Sequence, residues 1–102
     1  MSTLLQALSL ARKAGKVACG SYSCTEALKR RKARLVLIAA DASENTKKEF
    51  IDACNYRHVP YVITDAGKEQ LAGAVGMQER VVIAVLDDGF ANMIQNSYKS
   101  VN

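Results

Sequence analysis

The chain has 102 residues, 49% hydrophobic and 24% charged, a size and balance that suit one folded domain and exclude a disordered chain. The net charge of +4 is unevenly spread: residues 1–34 hold eight Lys or Arg against the single acid Glu26, a net +7, while residues 35–102 hold six against nine, a net −3. No run approaches the roughly 20 apolar residues of a membrane helix, none resembles a signal peptide, and the three cysteines are an odd count, so the expectation is a cytosolic, monomeric protein with reduced thiols.

In chain order, the pattern predicts alternating helices and strands. Ser2 caps a first helix with Leu4, Leu5, Leu8 and Ala11 on one face, and Gly15 ends it after Arg12 and Lys13. Val17 to Cys19 form a short strand. Gly20 and Ser21 make a turn and the N-cap of a second helix over about Tyr22 to Arg31 that buries Cys24, Ala27 and Leu28. The apolar run Arg34 to Ala40 reads as a central strand covered on both faces.

Ser43 caps a third helix running to Arg57, with Phe50, Ile51 and Cys54 inward. Pro60 holds Val59 out of helical geometry, and Tyr61 to Ile63 follow as a strand. Thr64 or Asp65 caps a fourth helix that contains Leu71 and ends at Gly73 or Gly76. Arg80 to Leu86 is a second buried strand. Asp87 caps a last helix with Phe90, Met93 and Ile94 inward. The alternation implies an α/β protein with helices on both faces of a mixed or parallel four-stranded sheet; the fold expected is a three-layer α/β/α sandwich with a central four-stranded mixed sheet.

The cluster Lys29-Arg30-Arg31-Lys32-x-Arg34 lies at a helix end and the entry to a strand. Positive charge favours a helix C-terminus, but five basic residues in six positions exceed that need and repel one another unless an anion neutralises them, which points to a polyanionic partner such as RNA. The turn Gly20-Ser21-Tyr22-Ser23 opens a helix, where free N–H groups and the dipole favour an anion, and Tyr22 offers a ring to an unpaired base. Neither a GxGxxG nor a Walker-type loop is present. Cys54 and His58, four apart, are too few to make a metal site. Asp41, Asp87 and Asp88 are the best catalytic carboxylates, but no nucleophile–base pair accompanies them, so a non-catalytic protein without cofactor is expected.

The segments Gly15-Lys16-Val17, Gly20, Lys32 to Asp41, Val59 to Val62 and Leu71 to Gly76 resemble, in order, the kink-turn-binding ribosomal protein family of the archaeal L-seven-Ae and L-thirty-e type. Ser43 to Lys48 and Val82 to Ala91 are similar to its small bacterial YlxQ-like branch. The resemblance implies an α/β/α sandwich that binds a kink-turn or similar bent RNA, as a ribosomal or ribosome-associated protein. It places the interface at Gly20, Ser21, Tyr22, Ser23 and Glu26, with Lys16, Arg30, Lys32 and Arg34 nearby. The loop before the last strand, Val75 to Arg80, completes it, with Val75, Gly76, Met77 and Gln78 as the hydrophobic segment against extruded bases.

The sequence departs from the family pattern where Tyr22, Ser23 and Glu26 replace Asn, Glu and Lys. An Asn–Glu pair reads sheared G·A pairs through base-edge hydrogen bonds that Tyr and Ser do not reproduce. The departure raises a second expectation, a protein-interaction module on the same fold. The first requires the positive side chains to gather beside the opening turn of the second helix.

Overall fold

The computed structural model describes residues 3–76 and 80–99. The elements run α1 (Thr3–Lys13), β1 (Val17–Cys19), α2 (Ser21–Lys29), β2 (Leu35–Ile38), α3 (Glu44–Arg57), β3 (Tyr61–Ile63), α4 (Lys68–Val75), β4 (Val82–Val85) and α5 (Asp88–Lys99). The sheet order is β1-β4-β2-β3, with β4 antiparallel to both neighbours and β2 parallel to β3. The sheet is therefore mixed.

Every residue of the two central strands is buried. Leu35, Leu37, Ile83 and Val85 face Leu4, Leu8, Leu71, Val75 and Ile94 from α1, α4 and α5. Val36, Ile38, Val82 and Ala84 face Cys24, Leu28, Phe50 and Cys54 from α2 and α3. Helices on both sides explain why these strands read as unbroken apolar runs instead of alternating with polar residues. Cys24 and Cys54 serve this layer as apolar groups: burial pushes their thiols up to about 12 and about 11, so both are neutral at physiological pH.

Local chemistry sets the helix ends. Glycine takes the left-handed turn after α1 at Gly15, φ 72°. The Ser43 hydroxyl accepts from the Thr46 amide at 3.1 Å, the expected N-cap of α3. The Asp87 carboxylate accepts from the Phe90 amide at 3.0 Å and opens α5.

Of the Gly20-Ser21 turn, Gly20 is the N-cap of α2, because the chain leaves β1 at φ 93°, which a side chain resists. Two expectations are corrected. Neither Thr64 nor Asp65 caps α4. The Thr64 amide still donates to Ile38 at 2.8 Å in continuation of the sheet, its hydroxyl donates to the Ala66 carbonyl, and the N-cap falls at Gly67. Met93 points outward, 45% exposed, while Ala91 and Ile94 carry the buried stripe of α5.

The register defines two ends of the sheet. At one, the Gly20 amide donates to Val82 and the Ala39 amide to Val81. At the other, the Leu86 amide donates to Lys16 and the Arg34 amide to Val85. The four residues of β4 separate these ends by about 13 Å.

Candidate nucleic-acid interface

The turn that opens α2 lies at the first of these ends. Gly20 has φ 93° and ψ 163° and gives its amide to Val82 at 3.0 Å. It contributes no side-chain cap, and the first turn of α2 holds no acid. The opening amides of α2 therefore lack intrahelical acceptors and sit at the positive end of the dipole. Ser21 is exposed and Tyr22 is 79% exposed, whereas Ser23 is half-buried. The Tyr22 ring is thus accessible to a planar partner.

Arg80 lies against this turn. A Cβ built on Gly20 would stand 3.6 Å from both Cδ and Nε of Arg80. The segment entering β4 and the turn opening α2 consequently meet. In the sequence Arg80 is only the end of a loop; the pairing of β1 with β4 brings its guanidinium beside Gly20.

The exposed face of α2 continues from Tyr22 through Glu26 to Arg30 at four-residue spacing. Glu26 stands 3.7 Å from Arg30 and 4.0 Å from Lys29. These exposed pairs contribute little stability, but they offset the charge that Glu26 brings to the helix.

The gathering of positive side chains beside the α2 opening that the RNA expectation required does not occur: the cluster divides, so an RNA reading has to rest on other observations. Lys16 precedes β1 and Arg34 precedes β2, both at the far end of the sheet. Arg30 is the C-cap of α2, and Lys32 follows in the connection to β2. Antiparallel pairing of β4 with β1 and β2 puts the starts of β1 and β2 together at that end, so charges adjacent in sequence to Gly20 are carried about a strand's length from it. Arg34 turns toward α5, with Nε 3.5 Å from Asp88 and Nη1 donating to the Arg31 carbonyl at 3.3 Å.

Val75 is also relocated. It closes α4 with its side chain in the core between α1, α4 and α5, so it serves packing and cannot face a base. Gly76 is exposed in a left-handed conformation, φ 68°. Met77 and Gln78 lie outside the described residues.

Asp41 has a structural task. Its Oδ1 accepts from the Lys68 amide at 2.8 Å, capping α4 from across the chain, and Gln70 Oε1 accepts from the Gly67 amide at 3.0 Å. A Cβ on residue 67 would come within 3.2 Å of Asp41 Oδ2, so glycine there lets the carboxylate approach. Asp41→Asn retains an acceptor and is expected to keep the thermal midpoint nearly unchanged. Asp41→Ala loses the cap, about 1 kcal/mol, and should lower the midpoint by roughly 4–8 °C in a calorimetric scan. Equal midpoints for Asp41→Ala and the unaltered chain would remove the capping role.

Cys54 is buried and His58 is exposed. Among the described residues no three His, Cys, Asp or Glu side chains gather to hold a metal ion, and no helix is long and apolar enough to cross a membrane.

A sequence profile described as the ribosomal protein L7Ae/L30e/S12e/Gadd45 family matches residues 2–95. The chain belongs to this family. Relatives place it in the YlxQ-like branch: it is 41% identical over 87 residues to the "RNA-binding protein YlxQ" of Bacillus subtilis (strain 168), covering 85% of this chain and 86% of that one. The protein of the same name from Enterococcus faecium is 36% identical over 86 residues, covering 82% and 80%. A protein of unknown function from Bacillus halodurans has the same structure, with a TM-score of 0.92 at 29% identity, covering 97% of this chain and 99% of that one. The Giardia lamblia 15.5kD RNA binding protein follows with a TM-score of 0.77 at 26% identity, covering 97% and 84%.

Proposed function

We propose that the chain is a single RNA-binding domain that performs no catalysis, acts as a cytoplasmic monomer, and recognises a folded RNA of kink-turn or similar bent type in a ribosomal or ribosome-associated setting. One observation carries the reading: Arg80 lies against Gly20, which joins the approach to β4 to the uncapped opening of α2, the turn that also carries the exposed Tyr22 ring. Amides and guanidinium suit phosphate oxygens, and the ring suits an unstacked base. Two relatives named as RNA-binding proteins support it.

Tyr22, Ser23 and Glu26 favour a changed mode of base reading: stacking in place of the base-edge pairing that Asn and Glu supply. The test is a gel-shift titration of labelled kink-turn RNA with unlabelled duplex RNA as competitor. The complex is expected to resist the duplex. Equal competition would remove bent-RNA specificity and leave a general phosphate-binding surface. No complex with either RNA would leave the protein-interaction module as the reading of the same fold.

A further inference from the structure

The end of the sheet opposite Gly20 holds a groove of about 880 Å³ between the C-terminal ends of α2 and α3 and the first turns of α5. Its charged lining is Arg31, Arg34, Arg57 and the single acid Asp88, joined by His58. Asp88 already faces Arg34 at 3.5 Å. Among the described residues no acid pairs with Arg31 or Arg57. The groove therefore carries excess positive charge that the protein leaves unneutralised.

The backbone adds an independent observation. Among the described residues only Arg31 and His58 combine a side chain with left-handed backbone, at φ 60° and 59°, and both line this groove. Each follows a helix end where glycine is the low-energy occupant. Favourable charge at those helix ends does not require it, because Lys29, Arg30 and Arg57 already stand in the last turns. A cationic arm and an imidazole, in place of glycine at both positions, thus line one cleft. Beside them Tyr56 is 79% exposed, with the Arg57 guanidinium 5.6 Å from its ring centroid. A flat ring coupled to a cation is a place for an unpaired base with its phosphate.

We infer that this groove is a second RNA-contacting surface, which takes the phosphodiester backbone of a single-stranded or looped segment on Arg31, Arg57 and His58 and stacks a base on Tyr56. The inference rests on the RNA-binding reading above. It adds a site about a strand's length from the α2 opening, and the exposed Tyr22–Glu26–Arg30 face of α2 connects the two.

Fluorescence anisotropy with a labelled 20-nucleotide polyuridine RNA, over a range of KCl concentrations, tests it. Arg31→Gly combined with Arg57→Ala is expected to weaken binding on the order of tenfold near physiological salt and to flatten the salt slope by about 1.4, the loss of two phosphate contacts on a single strand. The thermal midpoint should hold or rise, since glycine relaxes residue 31. Binding and slope equal to the unaltered chain, alongside lost binding in a Tyr22→Ala/Arg80→Met variant, would overturn the second surface and leave the first standing. Should the groove variant melt early, Tyr56→Ala, at an exposed ring, decides alone: a severalfold loss supports the groove and an unchanged affinity overturns it. If the unaltered chain binds neither polyuridine nor kink-turn RNA, both readings fall. A groove variant that keeps RNA but loses a polyglutamate peptide would assign the cleft to an acidic protein segment and overturn the RNA assignment.

Discussion

Gly20→Ala is expected to lower the thermal midpoint by roughly 8–16 °C. The cause is dihedral, not steric. A Cβ at Gly20 meets Arg80 at 3.6 Å, an ordinary contact. The backbone at φ 93° and ψ 163° belongs to a region that is essentially glycine's alone, and occupying it with alanine costs about 2 kcal/mol. In a domain of this size each kcal/mol shifts the midpoint by roughly 4–8 °C.

Rotation to negative φ offers no escape. It would disrupt the Gly20 amide bond to Val82 at 3.0 Å and the Cys24 amide bond to the Gly20 carbonyl at 2.9 Å, which tie β1 to β4 and start α2. Gly73 supplies the control: it lies inside α4 with nothing near its missing Cβ, so Gly73→Ala should raise the midpoint slightly. Calorimetry on both variants separates a specific backbone demand from a general intolerance of alanine. A Gly20→Ala midpoint within about 2 °C of the unaltered chain would contradict this account of the turn.

The fold was legible wherever one local signal dominated. Val17 to Cys19 sit between glycine turns, and Tyr61 to Ile63 follow Pro60, so both strands are bounded by residues with few backbone options. The central runs overshoot, Arg34–Ala40 against the observed Leu35–Ile38, because an apolar flank looks the same whether its amides pair within the sheet or beyond it. Ends fixed at a distance were not legible. The cap of α4 is Asp41, 27 residues before Lys68, and no window centred on α4 contains it. Met93 failed for a related reason: helical spacing fits either Phe90-Met93-Ile94 or an Ala91–Ile94 stripe, and only the packing of α5 on α1 chooses between them.

The interface shows the same division. The cationic bias of residues 1–34 is a fact of sequence; its placement is a fact of topology. Because β4 runs antiparallel between β1 and β2, Lys16 and Arg34 share one end while Gly20 and Arg80 share the other. A cluster contiguous in the chain thus becomes a separate face. Arg80, embedded in a segment of net zero charge with Glu79, becomes a principal cation of the candidate site.

That change of emphasis sets the largest expected functional effect. Tyr22→Ala combined with Arg80→Met should weaken binding to kink-turn RNA on the order of 100-fold. Tyr22 is 79% exposed, so its removal takes little from the core. Methionine preserves an apolar stem over Gly20 while removing the guanidinium. Stacking of one base contributes about 1–3 kcal/mol and a charge-assisted hydrogen bond about 1.5–3 kcal/mol. Allowing for overlap between neighbours in one site, a combined loss of about 3 kcal/mol corresponds to roughly 100-fold in Kd. The single variants distinguish the two contributions. Tyr22→Ala should lower affinity at every salt concentration without altering the slope, because a ring displaces no counterion. Arg80→Met should lower affinity and flatten the slope by about one. A double variant that binds as tightly as the unaltered chain would show that the α2 opening is not where RNA docks.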